Sequence, residues 1–290
     1  LSNFDRPFVL GLVCAGQLAI GLNHGMKAGT EFWLNGGQGL WLKATVQVKI
    51  SEEEGARPTL EELQAGAVIP VYTPKTWTSF DVVRKVRNRL GGAKVGHAGT
   101  LDPLAEGLLI LCIGAKNKEI DRWMGHPKEY EAVLGLGEIS DSYDLETELR
   151  PYGDPTLVNE TKVEEGLKAM SGTIMQIPPA HSAIKVGGVR AYTKARKGVS
   201  MELKAREVEI KEIEQLYRKG NDLALRIHCS KGTYIRSLAR DLGEFWGCGA
   251  YLKDLKRTAI GTIHASRAFH LHDFDAFLQI HTPSLHADLP

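Results

Sequence analysis

The sequence predicts an α+β fold: a mixed, largely antiparallel central sheet with flanking helices, plus a β-rich N-terminal extension. Three observations predict it. Strict alternation, as in Leu223, Leu225, Ile227 and Cys229, is the period of a strand with one buried face. Ile235, Leu238, Leu242 and Phe245, directly after it, have the spacing of an amphipathic helix. The two kinds of segment then alternate irregularly, without the even βαβ repeat of a doubly wound parallel sheet.

Taken in order, residues 1–66 are β-rich. Leu40, Leu42, Ala44, Val46, Val48 and Ile50 alternate with Lys43, Thr45, Gln47 and Lys49, which predicts a strand from Leu40 to Ile50. An acidic turn follows at 51–55. A short helix is expected over Thr59–Ala65, with a capping box from Thr59 to Glu62 and Gly66 as its stop. Val68–Val71 reads as a strand and 73–77 as a loop. Thr78-Ser-Phe-Asp81 caps a helix with apolar positions Phe80, Val83, Val86 and Leu90. Farther on, Glu131–Gly137 predicts a strand, and Thr161–Met170 a helix capped by Thr161 and Glu164.

Composition narrows the classes. The chain has 290 residues, 36 of them basic and 35 acidic. The net charge of +1 makes no case for a nucleic-acid partner by itself, so the distribution of charge has to decide. Cys14, Cys112, Cys229 and Cys248 lie far apart, which argues against a disulfide framework or zinc ribbon and for a reducing compartment. The apolar stretch from Phe8 to Leu22 is about 15 residues and broken by Gln17 and glycines. A membrane-spanning helix needs about 20, so a buried element is expected there and no membrane anchor. The chain opens at Leu1 rather than Met, compatible with prior removal of a presequence.

Chemistry concentrates in Gly96-His-Ala-Gly-Thr-Leu-Asp-Pro103, a loop presenting an imidazole, His97, and an acid, Asp102, at a sheet edge. On its residues alone this loop fits equally a structural turn whose Asp caps a helix. Ser230-Lys-Gly-Thr-Tyr-Ile-Arg236 joins the alternating strand to its helix and gathers Lys231, Tyr234 and Arg236. A guanidinium there suits a carboxylate, and a ring suits a planar ligand. Gly125-His-Pro-Lys-Glu-Tyr130 places an aromatic at a strand start. His270-Leu-His-Asp273 stands alone as a short run and is a weak metal signal, so no metal is expected.

These segments, in this order and at these separations, resemble the TruB family of pseudouridine synthases. The matching stretches are G-H-A-G-T-L-D-P-L-A-x-G-L-L, K-E-Y and S-K-G-T-Y-I-R-S-L. Leu255-Lys-Arg-Thr-Ala-Ile-Gly261 and Ile177-Pro-Pro-x-x-Ser-Ala-Ile-Lys185, with Tyr192, fit further motifs, and coverage runs from about Ala67 to Phe269. The resemblance implies an isomerase that converts uridine to pseudouridine in RNA, in the T-loop of tRNA or a T-loop-like RNA, with no cofactor. It implies Asp102 as the catalytic carboxylate, Arg236 as its partner and Tyr130 as the residue stacking on the extruded uracil. Tyr234 and Leu255 match pocket walls, with Lys231 beside them, and His97 matches the side chain that fills the gap left in the RNA. Extruding a base costs a few kcal/mol, which stacking and gap-filling offset.

Charge distribution agrees with an RNA partner. Arg84, Lys85, Arg87, Arg89 and Lys94 occupy one run without acids. Lys185, Arg190, Lys194, Arg196, Lys197, Lys204 and Arg206 share another with Glu202 alone. Such runs bind phosphates.

The chain departs from the family's pattern in its opening turn. Where the family has Asp-Lys-Pro, this sequence has Tyr72, Thr73 and Pro74, and Thr76 stands where the family has glycine. The family's T-D-T-x-D appears as Ser140-Asp-Ser-Tyr-Asp144. About 20 residues follow Phe269, too few for the RNA-binding PUA domain of bacterial members, so a tail is expected over 271–290 and the catalytic domain over 67–270. A β-rich arm without that domain suits an organellar or otherwise specialised eukaryotic member, with the mitochondrion or another organelle ahead of the cytoplasm. The altered turn and the unmatched residues 1–66 motivate an alternative: a catalytically weak or inactive RNA-binding or assembly factor, docked through 1–66 in a ribonucleoprotein. A carboxylate-dependent nucleosidase is disfavoured, because the ring-holding residues are retained.

Overall fold

The computed structural model describes residues 12–13, 17–18, 31–35, 41–45, 60–180, 182, 185–186, 189–190, 203–271 and 273. The chain divides into two units, Leu1–Arg57 and Pro58–Pro290. In the first, β1 (Leu12–Val13) pairs antiparallel with β2 (Gln17–Leu18). β3 (Glu31–Asn35) pairs antiparallel with β4 (Trp41–Thr45), Leu34 opposite Leu42. The strand expected from Leu40 to Ile50 is thus met over Trp41–Thr45. Its remainder, the turn at 51–55 and the Thr59 cap lie outside the described residues.

The second unit opens with α1 (Leu60–Ala65), β5 (Gly66–Thr73) and α2 (Ser79–Arg89). Next come β6 (Val95–Ala98), β7 (Ala105–Gly114), α3 (Ile120–Gly125), β8 (Lys128–Leu136), β9 (Glu138–Ile139) and β10 (Arg150–Pro151). They are followed by α4 (Glu160–Ala169), β11 (Gly172–Gln176), β12 (Lys185–Val186), β13 (Val189–Arg190), β14 (Arg206–Lys219) and β15 (Asp222–Cys229). α5 (Ile235–Trp246), β16 (Ala250–Ile260), β17 (Ile263–His264) and β18 (Phe269–His270) complete the described elements.

Ten of these strands form one sheet in the order β11-β14-β15-β8-β16-β7-β5-β18, with β17 on β16 and β6 on β7. Only β16–β7 and β18–β5 pair in parallel, so the sheet is mixed and largely antiparallel, as the alternating segments predict. β7 is the exception to alternation. Leu109, Leu111 and Ile113 pack with Val82, Val86 and Leu90 of the α2 region. Leu108, Ile110 and Cys112 pack on the other face with Ile260. Covered on both sides, the strand reads as a continuous apolar run.

α2 starts where the sequence places it. Thr78 Oγ1 accepts from Asp81 N at 3.0 Å, and Asp81 Oδ2 accepts from Thr78 N at 3.1 Å, a complete capping box. Its buried face is Val82, Val83 and Val86, each contributing about 1.5–3 kcal/mol by leaving water. Phe80, expected on that face, is 67% exposed, because position 80 falls on the outer side of the first turn. Phe245 of α5 is likewise exposed, and Ile235, Leu238, Leu242 and Trp246 make the buried stripe. α4 is capped not by Thr161 but by Asn159, whose Oδ1 accepts from Lys162 N at 3.0 Å.

Candidate active site

Three segments distant in sequence are brought together by strand register. In the parallel pair, Leu255 of β16 lies opposite Ala105 of β7, and Arg257 opposite Gly107. On its other side β16 sets Leu255 opposite Ala132 and Arg257 opposite Tyr130 of β8. Gly107 has φ +114°, and a Cβ there would run into the Arg257 carbonyl, so glycine permits this approach of the two backbones. The segment carrying Asp102, between β6 and β7, is thereby held beside β16.

Arg236, in the first turn of α5, supplies the cation. Its Nε stands 2.9 Å from Asp102 Oδ2, and its Nη1 stands 3.5 Å from Asp144 Oδ2 and donates to Ser142 O at 3.3 Å. The arginine and Asp144 side chains are only 4% and 7% exposed, whereas that of Asp102 is 40% exposed. One guanidinium therefore serves two carboxylates, and the surplus negative charge is the one facing solvent. Asp102, Ala105, Asp144, Arg236, Leu252 and Leu255 line a single notch. At its rim Asp254 pairs with Lys75 at 2.8 Å.

The packed surroundings of Asp102 push its carboxyl above the usual range. Arg236 opposes this most strongly, and Asp144 and Glu146 add to the rise. Burial also raises the Tyr130 phenol. The positive charge of Arg257 works the other way. Tyr234, the residue before α5, is raised by burial too. His97 is lowered by burial and by Arg257.

The structure gathers Asp102, Arg236 and Leu255 in the notch. It sets Tyr130 in one packed cluster with Leu101, Ala105 and Leu255. His97 lies on a strand, β6, rather than in a loop, and its Nε2 is 3.2 Å from Thr100 Oγ1. Lys231 is exposed before α5 and is not among the notch-lining residues. Arg84 and Arg87 are exposed on α2, Lys85 stands 5.9 Å from the Trp77 ring centre, and Lys94 is exposed after the helix. The backbones of Lys185 and Arg190 belong to the β12–β13 hairpin. Lys194, Arg196 and Lys197 lie outside the described residues. Among the described residues, no group of three or more His, Cys, Asp or Glu side chains could hold a metal, and no helix is long and apolar enough to cross a membrane.

Sequence reasoning missed three further participants. Asp144 is the buried second acid on Arg236. Arg257, 1% exposed, donates from Nε to Leu108 O at 2.7 Å and from Nη2 to Gly99 O at 3.1 Å, bracing the Asp102 segment from below. Gln176, 2% exposed, grips the Tyr234 peptide from both sides: Oε1 accepts from Tyr234 N at 2.8 Å and Nε2 donates to Tyr234 O at 3.2 Å. The signal for the first two was present, since Ser140–Asp144 and Leu255–Gly261 stand among the motif stretches.

Residues 87–235 match the TruB family pseudouridylate synthase (N terminal domain), which is half of the chain, and residues 236–288 match the tRNA pseudouridylate synthase B C-terminal domain. The chain belongs to the TruB family. It is 46% identical over 221 residues to the tRNA pseudouridine synthase B of Parabacteroides distasonis, covering 74% of this chain and 94% of that protein. With the protein of the same name from Bacteroides thetaiotaomicron it shares 48% identity over 208 residues, 68% of this chain and 87% of the other. Among solved structures it resembles a Cbf5-Nop10-Gar1 complex, with a TM-score of 0.56 and 28% identity over 74% of this chain and 56% of that one. It also resembles an H/ACA RNP bound to a substrate RNA containing 2′-deoxyuridine, with a TM-score of 0.57 and 26% identity over 78% of this chain. The TruB-family chain spans 60% of that second chain, so both solved chains are much longer.

Proposed function

We propose that this TruB-family chain isomerises uridine to pseudouridine in tRNA, at a uridine of the T-loop or of a loop folded like it. The observation that carries the reading is the Asp102–Arg236 pair at 2.9 Å, with the acid facing solvent and the guanidinium buried behind it. The N1–C1′ bond breaks, the uracil stays bound and turns, C5 joins C1′, and N1 gains a proton as C5 loses one, so composition is unchanged. Asp102 supplies the anion held against the reacting nucleotide. A uridine inside a folded loop reaches that anion only by leaving its stack, at a cost of a few kcal/mol. Tyr130 offers a neutral ring to the extruded base, with Leu255 and Tyr234 as walls. His97 fills the space left in the RNA.

Arg84, Lys85, Arg87 and Lys94, with Lys185, Arg190, Lys194, Arg196 and Lys197, would meet the phosphates, and Lys231 would contact the substrate. The experiment is to incubate the protein with tRNA transcripts and map pseudouridine at single-nucleotide resolution. Conversion of one uridine in the T-arm is expected. Tight binding of the tRNA with no conversion at any position overturns the reading and leaves the assembly-factor alternative.

A further inference from the structure

The two residues that flank Asp102 are both tied to the turn that opens α2. Leu101 N donates to Ser79 Oγ at 2.9 Å, and the same hydroxyl donates to Leu101 O at 3.3 Å. Leu101 is 3% and Ser79 2% exposed, so water is a poor substitute for either bond. On the other flank, Thr76 N donates to Pro103 O at 2.8 Å. Thr76 does so at φ +73°, a left-handed conformation that a β-branched residue adopts only at a cost. The far end of these tethers is rigid: α2 is fixed by its capping box and by Val82, Val86 and Leu90 in the core.

We propose that Ser79 and Thr76 are positioning residues for the Asp102 carboxylate, tying the peptide groups on both sides of it to the first residue of α2 and to the loop just before that helix. The acid then stands at Arg236 before any substrate arrives. The backbone of segment 99–103 is consequently held from two directions. Ser79 and Thr76 hold Leu101 and Pro103 on one side, and Arg257 holds the carbonyls of Gly99 and Thr100 on the other. The catalytic meaning of this clamp rests on the isomerase reading; its physical existence does not.

The test compares the wild-type protein with Ser79→Ala, Ser79→Thr and Thr78→Ala. Thr78→Ala removes the helix cap but leaves both Leu101 bonds in place, so it reports what mere loss of helix stability does. Amide hydrogen exchange of the peptide covering 99–104 is expected to speed up at least ~10-fold in Ser79→Ala relative to strands β8 and β15, and not in Thr78→Ala. In single turnover at saturating enzyme, Ser79→Ala is expected to lose about 10–100-fold in rate with tRNA affinity within about three-fold, as a misplaced reacting group would. Ser79→Thr, which keeps the hydroxyl, restores most of the rate.

Unchanged exchange at 99–104 in Ser79→Ala overturns the proposal, and so does an equal rate loss in Thr78→Ala. If Ser79→Ala does not fold, Ser79→Cys, whose thiol is a weak hydrogen-bonding group, carries the same comparison. Faster exchange together with a wild-type protein that converts no uridine leaves the clamp standing and sinks the isomerase reading instead.

Discussion

Thr76 offers a test of backbone strain at the site. It stands where the family's pattern has glycine, and its φ of +73° is the conformation that glycine adopts without penalty. For an L-residue this region costs about 1–2 kcal/mol. Glycine returns about 0.5–1 kcal/mol of that through the extra freedom of its unfolded chain. Thr76 is exposed, so little burial is lost on removing its side chain. Thr76→Gly is therefore expected to stabilise the protein by about 0.5–1 kcal/mol, a rise of roughly 1–4 °C in Tm for a unit of this size, followed by circular dichroism. Thr76→Ala keeps the Cβ and is expected to gain much less. Thr76→Pro, whose ring fixes φ near −65° and which lacks the N–H given to Pro103, is expected to lose about 3 kcal/mol or more. A Tm that falls or stays put in Thr76→Gly refutes the reasoning.

Other outcomes follow from the same geometry. Arg236→Leu removes the cation between Asp102 and Asp144 and is expected to cost about 3–5 kcal/mol in chemical denaturation, with loss of isomerisation; a stable, active variant contradicts the shared-guanidinium arrangement. The pH–rate profile is expected to fall on the acid side with a midpoint above the ordinary carboxylate value of 3.8. The reason is that Asp102 acts as the anion and its folded-state pKa is raised, so protons capture it earlier as pH falls. A midpoint below 3.8 would show instead that Arg236 dominates. Replacing Arg84, Lys85 and Arg87 together by Gln is expected to flatten the dependence of log K on log salt by about 0.7–0.9 for each phosphate that is no longer neutralised. An unchanged slope places the RNA elsewhere.

Much of this arrangement was legible in the sequence, for physical reasons that differ by element. Local signals read well: the Thr78–Asp81 box marks the start of α2, and the alternation from Leu223 to Cys229 falls within β15. Competing local signals read less well. Thr161 and Asn159 are both good caps, and only the backbone path decides for Asn159. Phe80 and Phe245 fit the helical spacing, yet lie just outside the stripe that the sheet covers. The site's ion pair was expected through motif resemblance. Its wiring was not, because Arg257 reaches Leu108 across 149 positions and Gln176 reaches Tyr234 across 58. Such pairings come from strand register, which leaves no local trace.

The most direct test of the central claim is the single-turnover rate of Asp102→Asn on a tRNA labelled at uridine C5, measured beside its tRNA affinity. The nearly isosteric amide lacks the negative charge, so isomerisation is expected to be lost while binding stays within a few-fold of wild type. Isomerisation by Asp102→Asn at the wild-type rate would contradict the account.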